Sequence, residues 1–452
     1  MSGMLEMIMR VRLGTILSLA LCLAGFTAKA DPPPSKITYR PVTNSTCDGY
    51  ARAPIEMSEG FCAGLVAAPP AQGPRTLVFP RTLLALPGGD FLVVDMGGWG
   101  TTRGAVFRLT ARPGQAPVLR RILSGLNMPH MAAVGPDGKI YLGEMNRIIR
   151  FDPDAYDPRA SIEVVVADLP SNRLHDNRHP LSSFLFALDG ALIVNVGAPS
   201  DQCVKPAPRP GARCAEAEGP QAAAGLWRYA YLGNGRWSDQ PTVLARGLRN
   251  SLALALHASG SILQGENSID LPGEYTPFDE INLIEPGRFY GWPYCMDALT
   301  PVPAWKAAGA MTCRDETVYT PPVLLLPPHS APLSMLYYQG PMFPELKGHL
   351  LVALHGYRSA GARIIAYDVD ERGVPRVQER ATYQVYMPGT AAARLYRQGP
   401  AAFGLILTPG WNAQPGRRPM GTPVGLTVAA DGAIWVAEDK NGTILRIARD
   451  RR

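Results

Sequence analysis

Short apolar segments alternate with tight polar turns along most of the 452 residues. Each unit has an apolar segment, a turn commonly of the Asp-Gly or Gly-Gly type, and a second β-rich segment. Such turns supply the positive φ angles that tight hairpins require. The fifth of the six units in chain order is less regular and has an insertion in its hairpin. In chain order, the six units cover residues 83–95, 131–144, 184–197, 252–266, 333–356 and 426–439.

A third apolar segment follows most of these predicted hairpins, as in GAVFRL, NRIIRFD, GLWRYA, ARIIAYDV and GTILRI. Three or four strands per unit, repeated six times, are typical of a propeller, in which radial repetition limits exposed sheet edges. We therefore predict an all-β fold, a six-bladed β-propeller of four-stranded antiparallel blades over residues 81–452. Two sandwich domains are the alternative, but no linker-like segment separates two halves.

The N-terminus has the features of an export signal. Arg10 and Arg12 precede an apolar stretch over residues 13–26, and Ala28-Lys29-Ala30 provides a small-x-small cleavage site. We predict a signal peptide over residues 1–30, a disulfide-pinned N-terminal extension over 31–80, and a periplasmic or secreted protein. No later apolar run is long enough to predict a membrane span.

Six cysteines follow the predicted signal peptide, and an even number in an exported chain indicates disulfides. Six cysteines allow 15 pairings. Pairing of sequential neighbours is our expectation, because each bond then closes a short loop: Cys47–Cys62, Cys203–Cys214 and Cys295–Cys313. Their spacing does not match a zinc site. The formal charge of +6 is not concentrated in a basic block, so we expect no nucleic-acid partner.

The segment 249–293 carries the most specific motifs. It joins an Arg-Asn pair to QGEN, then to DEINLI and an aromatic GWP corner. In this order the motifs resemble the pyrroloquinoline quinone (PQQ)-dependent soluble glucose/sorbosone dehydrogenases, with a closer likeness to the sorbosone branch. The resemblance implies a six-bladed propeller with PQQ and calcium as cofactors. It also implies a sugar, polyol or aldehyde substrate and a separate electron acceptor such as a cytochrome or quinone.

The resemblance assigns two residues to catalysis. His179 lies ten residues before the Asp-Gly turn of the third unit, where the family has the general base that accepts the hydroxyl proton; an imidazole suits this role near neutral pH. Arg249 would stabilise charge that develops on the quinone oxygen. Without the resemblance, a turn histidine that caps a loop is the favoured interpretation of His179. A turn arginine in a surface ion pair is the alternative for Arg249.

The resemblance also implies a set of cofactor and metal contacts. The backbone carbonyls of the last two residues of the QGE turn, Gly265 and Glu266, would bind calcium, a hard cation that prefers oxygen ligands. The side chain of Glu266 could add a ligand or face solvent. The remaining residues predicted to contact the cofactor are Asn250, Gln264, Tyr290, Trp292, His355 and Arg358, with structural packing as the alternative for Tyr290, Trp292 and His355.

The sequence departs from the family pattern at two places. Thr422 and Val424 stand where glucose-type enzymes have two arginines before the last unit, although Arg417 and Arg418 lie just upstream. The third unit reads VGAPSDQ, where an acidic residue commonly follows the glycine. These departures leave open whether PQQ binding is retained.

Two other functions remain consistent with the sequence. The first is a calcium-dependent lactonase-type propeller hydrolase, whose ligands would come from polar residues that end predicted strands: Asp95, Glu144, Asn195, Glu266 and Glu438. The second is a non-catalytic propeller that binds a ligand or a partner.

Overall fold

Six antiparallel sheets with a four-stranded core build the molecule in the residues that the structure describes. These residues, in a computed structural model, are 40–70, 74–170, 177–220, 222–273, 276–298, 300–306, 313–356, 361–377, 383–386, 394–397, 404–411 and 419–451. The first strands of neighbouring sheets contact one another around a central channel. This arrangement confirms the predicted six-bladed β-propeller. The predicted signal peptide lies outside the described residues.

The strands of the N-terminal half follow one another blade by blade. The chain begins with β1 (Thr46–Cys47), β2 (Tyr50–Arg52) and β3 (Phe61–Ala67). Blade one comprises β4 (Pro80–Ala85), β5 (Phe91–Asp95), β6 (Gly104–Thr110) and β7 (Val118–Leu126). Blade two comprises β8 (Ala132–Val134), β9 (Ile140–Glu144), β10 (Arg147–Phe151) and β11 (Glu163–Val166). Blade three comprises β12 (Phe184–Phe186), β13 (Leu192–Val196), β14 (Gly225–Tyr229), a hairpin of β15 (Tyr231–Gly233) and β16 (Arg236–Trp237), and β17 (Thr242–Arg246).

The C-terminal blades carry longer insertions. Blade four comprises β18 (Ala253–Leu256), β19 (Ile262–Glu266), β20 (Phe278–Ile284), a hairpin of β21 (Cys295–Met296) and β22 (Thr300–Pro301), helix α1 (Pro303–Lys306), and β23 (Leu324–Pro328). Blade five comprises β24 (Pro332–Tyr337), a 3₁₀ turn (Pro344–Leu346), β25 (Leu350–Leu354), β26 (Arg363–Tyr367), a hairpin of β27 (Tyr383–Tyr386) and β28 (Arg394–Arg397), and β29 (Leu405–Thr408). Blade six comprises β30 (Pro423–Val428), β31 (Ile434–Glu438) and β32 (Thr443–Arg449). Among the described residues, no helix is both long and apolar enough to cross a membrane.

All six predicted hairpins are the first two strands of a blade. The second strands (β5, β9, β13, β19, β25 and β31) are buried over their whole length, because each lies between the faces of two neighbouring blades. The turn glycines adopt positive φ as predicted, for example +77° at Gly138 and +88° at Gly432. DEINLI, predicted to brace a corner, lies in the third strand of blade four.

An N-terminal strand completes blade six. Strand β3 pairs with β32 from Phe61↔Arg449 to Ala67↔Ile444, and so becomes the outermost of four strands in the order β30-β31-β32-β3. Residues 61–67, within the predicted N-terminal extension, are therefore part of the last blade. The ring is closed by backbone hydrogen bonds between two distant segments of the chain.

A buried polar side chain ends the second strand of five blades. In blade one, Asp95 accepts hydrogen bonds from the backbone N–H groups of Val78 and Phe79 at 2.7 and 2.8 Å. In blade six, Glu438 accepts the N–H of Thr422 at 2.9 Å. Each acceptor thus holds the segment that leads into the first strand of its own blade. We call the five side chains the strand-end groups: Asp95, Glu144, Asn195, Glu266 and Glu438.

The three disulfides join Cys47–Cys62, Cys203–Cys214 and Cys295–Cys313, which confirms the expected pairing. The first connects β1 to β3, the strand that closes the ring. The other two constrain long connections in blades three and four. Three disulfides are typical of proteins that fold in an oxidising compartment.

We predict that Cys47→Ser/Cys62→Ser lowers stability more than Cys295→Ser/Cys313→Ser. The two bonds span similar loops of 15 and 18 residues, so chain entropy predicts a similar loss of about 3 kcal/mol for each. The first pair also anchors the closing strand, and its removal weakens ring closure in addition. Urea unfolding followed by circular dichroism measures both losses. Equal losses would show that the Cys47–Cys62 bond contributes nothing to closure beyond chain entropy.

Candidate active site

A cavity of about 450 Å³ lies at the channel end where the second strands finish. Its wall comes from residues that precede first strands, such as His179 and Asn250, and residues that follow second strands, such as Asn267 and His355. Leu181, Leu252, Leu333 and Val424 belong to an apolar cluster of the channel, and the three leucines also line the cavity. The size is within the range of small-molecule sites, roughly 300–1,000 Å³.

His179 lines this cavity in the neutral form that a general base requires. Its Nδ1 lies 2.6 Å from the carbonyl oxygen of Ala198, so Nδ1 carries the proton and donates it. The lone pair is therefore on Nε2. Burial and the nearby charge of Arg249 lower the pKa of His179 well below its ordinary value. The imidazole is thus neutral and held in one tautomer at pH 7.

Arg249 and Asn250, the Arg-Asn pair of the sequence, also lie in the cavity wall. The Arg249 guanidinium is paired with Asp201, whose Oδ1 lies 2.6 Å from Nη2, and it donates from Nη1 to the carbonyl of Asn267 at 2.9 Å. Arg249 is therefore a neutralised cation rather than an isolated one. The carboxamide oxygen of Asn250 is buried and has no hydrogen-bond partner among the described residues.

The QGE residues lie behind the cavity wall rather than in it. Glu266 is buried and accepts the backbone N–H groups of Arg249 and Asn250 at 2.8 and 3.0 Å, while Gln264 donates to its other oxygen at 2.7 Å. Burial raises the pKa of Glu266 to about 7. Gly265 is paired on both sides, with Ala253 and Ile281. The Glu266 side chain thus braces the Arg-Asn turn and neither faces solvent nor lines the cavity.

Tyr290 and Trp292 are buried away from the cavity. The Tyr290 hydroxyl donates to the carbonyl of Leu283 at 2.7 Å and accepts the N–H of Glu285. The Trp292 indole donates to the carbonyl of Asp201 at 2.9 Å. Trp292 therefore supports the residue that pairs with Arg249, whereas Tyr290 braces the end of blade four.

His355 lines the cavity and belongs to a buried charged cluster. Its Nε2 lies 2.9 Å from Asp439, which also pairs with Arg81 at 2.6 Å and accepts the hydroxyl of Thr422 at 3.0 Å. Arg81 in turn donates to Nδ1 of His130 at 3.2 Å. The cluster joins blades one, two, five and six. Arg358 lies outside the described residues.

The positions that lack the two arginines have other roles here. Val424 packs in the apolar cluster of the channel, and Thr422 binds Asp439. Arg417 and Arg418 lie outside the described residues. Arg81 and Arg178 line the cavity instead, and they come from blades one and three.

Five further residues line the cavity and were not among the predicted site residues: Arg81, Arg178, Asn267, Asp439 and Trp99. Two of these residues occupy a position that the sequence pattern could have identified. Asn267 and Asp439 directly follow the ends of β19 and β31, which is the position that His355 occupies after β25. Aligning the six units on the ends of their second strands would therefore have identified both. Arg81 and Arg178 precede or begin first strands and have no such pattern.

The structure gives no support to the lactonase-type ligand set. Asp95, Glu266 and Glu438 bind backbone N–H groups, as described above, and Glu144 accepts the N–H of Asn127 at 2.6 Å. Asn195 donates to the carbonyl of Leu181. None of these side chains lines the cavity, and the described residues contain no cluster of three His, Cys, Asp or Glu side chains suited to a metal. In the described residues these side chains instead bind backbone groups at the strand ends.

Some polar groups of the cavity wall are of the kinds that the implied cofactors would need. PQQ is a flat anion with three carboxylates, and three arginines line the wall. Each is also paired with an aspartate: Arg81 with Asp439, Arg178 with Asp270 and Arg249 with Asp201. The oxygens of Asn250 and Asn267 are buried without a partner among the described residues. Oxygen atoms of this kind suit a hard cation or a donor on a bound ligand.

A family model matches the middle of the chain. The glucose/sorbosone dehydrogenase family model matches residues 231–385, which include the QGEN, DEINLI and GWP motifs. This match confirms the resemblance that the motifs indicate; the closer likeness to the sorbosone branch stays a prediction. An uncharacterised protein of Borreliella burgdorferi is 28% identical over 213 residues, which are 45% of this chain and 48% of that protein. The alignment thus spans about half of that relative.

Solved structures share the fold along most of the chain. The holo PQQ domain of pyranose dehydrogenase from Coprinopsis cinerea has a TM-score of 0.62 at 20% identity, covering 89% of this chain and 100% of that one. A calcium structure of a family AA12 enzyme from Trichoderma reesei has a TM-score of 0.62 at 19% identity, covering 90% of this chain and 100% of that one. The PQQ-bound aldose sugar dehydrogenase from Streptomyces coelicolor has a TM-score of 0.51 at 18% identity, covering 87% of this chain and 100% of that one. At these identities the structures establish a common fold.

We predict that His130→Asn flattens the dependence of stability on pH below neutrality. Burial, together with the adjacent Arg81 and with His355, lowers the pKa of His130 well below its ordinary value, while Asp439 opposes this effect. An unfolded histidine takes up a proton near pH 6.5, so stability present above that pH is lost as the pH falls. One such group contributes a slope of up to about 1.4 kcal/mol per pH unit.

Urea unfolding at pH 7, 6 and 5 measures this slope. The asparagine oxygen can replace the acceptor that Nδ1 offers to Arg81. His257→Asn, in the hairpin turn of blade four, is the control. Parallel stability curves for His130→Asn and the wild type would contradict the prediction.

Proposed function

We propose that this protein is an exported quinoprotein dehydrogenase that oxidises a sugar, or a related polyol or aldehyde, with His179 as general base. PQQ and calcium are the proposed cofactors, and the sorbosone branch is the proposed subgroup. The observation that carries the proposal is the state of His179: a buried, neutral imidazole with a fixed tautomer in the wall of a cavity lined by three arginines.

The chain's own residues provide the acid–base part of the reaction. Nε2 of His179 accepts the proton of the substrate hydroxyl, while the carbonyl of Ala198 holds the Nδ1 proton and stabilises the imidazolium that forms. The lowered pKa of His179 keeps the base free at neutral pH. Bound PQQ would supply the two-electron acceptor for the hydride. Leu181, Leu252 and Leu333 exclude water from the apolar side of the cavity.

Arg249, Arg178 and Arg81 would hold the anionic cofactor, with Asn250 and His355 as further polar contacts in the same wall. Calcium at the carbonyls of Gly265 and Glu266 stays a prediction. Electrons would leave to a soluble acceptor such as a cytochrome or quinone. A periplasmic or secreted location is proposed from the N-terminal sequence and is consistent with the three disulfides.

A titration of metal-stripped protein with PQQ, with and without calcium, tests the cofactors. Saturable binding with one PQQ per chain, strengthened by calcium, is the expected result, followed by dye reduction with a panel of aldoses and polyols. No binding at micromolar PQQ would contradict the proposal. It would favour the non-catalytic binding propeller. The two arginines that Thr422 and Val424 stand in place of would then be required for PQQ binding.

We predict that His179→Ala lowers kcat by about 10²–10⁴-fold, the usual contribution of a general base. The thermal unfolding midpoint should change little, since the ring makes a single polar contact through Nδ1. His257→Ala, outside the cavity, is the matched control and should retain wild-type turnover. Undiminished turnover in His179→Ala would remove this residue from the mechanism.

We predict that Trp99→Ala raises the KM for cyclic sugars by about tenfold, a loss of roughly 1.4 kcal/mol of binding energy. Trp99 is 45% exposed at the cavity rim, so its indole offers a flat apolar surface to a sugar ring. Trp99→Phe should retain most of the affinity. Tyr156→Ala, an exposed aromatic elsewhere, is the control. Equal KM values in all variants would exclude a sugar contact at Trp99.

A further inference from the structure

The loop that follows β13 contacts three residues of the cavity wall. We call residues 198–203 the β13 loop. Its Ala198 carbonyl accepts from His179 at 2.6 Å, and its Ala198 N–H donates to the carbonyl of Arg249 at 2.8 Å. The N–H of Arg178 donates to the carbonyl of Pro199 at 2.9 Å. One short segment therefore places His179, Arg178 and Arg249 relative to one another.

Asp201 is the charged residue of this loop, and two of its oxygen atoms contact Arg249. Its Oδ1 accepts from Nη2 of Arg249 at 2.6 Å and from Nε at 3.0 Å, and its backbone carbonyl accepts from Nε at 3.3 Å. The N–H of Asp270 donates to the same Oδ1 at 3.0 Å. Asp201 thus binds two of the three guanidinium nitrogens.

The Arg249 side chain needs a counterion because it is buried. The Arg249 side chain is 4% exposed and that of Asp201 is 15% exposed. A buried guanidinium without a counterion is costly. Asp270 is the weaker partner of Arg249, because it lies 3.5 Å from Nη2, is 60% exposed and pairs with Arg178 at 2.8 Å. Glu266 is bonded to the backbone N–H of Arg249.

The β13 loop is itself fixed at several points. The Ser200 N–H donates to Glu216 at 2.9 Å, and the Trp292 and Trp305 indoles donate to the carbonyls of Asp201 and Gln202 at 2.9 and 2.8 Å. The Cys203–Cys214 disulfide closes the end of the loop. Asp201 is therefore presented to Arg249 from a rigid support.

We propose that Asp201 is the positioning residue that holds the Arg249 guanidinium in the cavity wall beside His179. In this chain it provides, four residues after Gly197, the acidic group that the third unit lacks directly after that glycine. The inference rests on the proposed function for its kinetic consequence, whereas its structural consequence is independent of any activity.

Ligand-free crystal structures of the wild type, Asp201→Ala and Asp201→Asn provide the structural test. In Asp201→Ala we expect the guanidinium to move by more than about 1 Å and to lose its 2.9 Å contact with the Asn267 carbonyl. In Asp201→Asn the carboxamide oxygen still accepts from Nε, and the guanidinium should stay in place. An unmoved Arg249 in a correctly folded Asp201→Ala structure would overturn the proposal.

Steady-state kinetics with PQQ and calcium provide the functional test. Asp201→Ala should lower kcat by about 10- to 100-fold, the usual effect of a misplaced group at a reacting centre, with a change in sugar KM below about threefold. Asp201→Asn should recover at least half of the loss on a logarithmic scale. Asp189→Asn removes a paired but exposed aspartate of the same blade and should behave as the wild type.

The outcomes separate the two proposals. A wild type that neither binds PQQ nor oxidises sugars refutes the proposed function, and the crystal structures then decide the role of Asp201 alone. A wild type that is active, with Asp201→Ala equally active, refutes the positioning role. If Asp201→Ala does not fold, Asp201→Asn decides: a displaced guanidinium despite its retained acceptor would also refute the proposal.

Discussion

The need to satisfy buried backbone groups at the ends of the second strands governs both the fold and the site. Each strand-end group is removed from water and must be hydrogen-bonded. Each has at least one partner in the segment that leads into the first strand of its own blade. In blade five, where Leu354 ends the second strand, Asp279 of blade four accepts the N–H of Ala331 instead. These hydrogen bonds also position the side chains of the segment that they hold. Arg249, whose backbone N–H binds Glu266, is thereby placed in the cavity wall.

Charge pairing then determines how the cavity can act. Its arginines are not free cations: Arg249 is held by Asp201, and Arg81 by Asp439. Such pairing keeps buried charges tolerable while it fixes their geometry. His179 is arranged in the opposite way, since it is oriented by a neutral carbonyl and not by a carboxylate, and its pKa is lowered rather than raised. The result is a neutral base next to a rigid, compensated guanidinium.

The sequence predicted the fold to the level of individual hairpins, because alternating apolar segments and glycine turns are local signals. It also placed His179, Arg249, Asn250 and His355, which the structure brings into one cavity. It left open whether Glu144 and Glu438 are metal ligands, as the alternative hydrolase function requires. A carboxylate at a strand end has the same sequence pattern whether it faces a channel or a backbone N–H group, and only the approach of another segment decides between the two.

By itself, then, the sequence determined the strand units, the disulfide-compatible cysteines and the family resemblance, since these depend on spacing along the chain. The tertiary structure decided which polar residues meet. Asp201 and Arg249 are 48 positions apart and meet because blades three and four are neighbours in the ring. Arg81 and Asp439 are 358 positions apart and meet because the ring closes through β3, which brings the first and last blades together. Contacts of this kind follow from closure of the propeller, and no local pattern of residues encodes them.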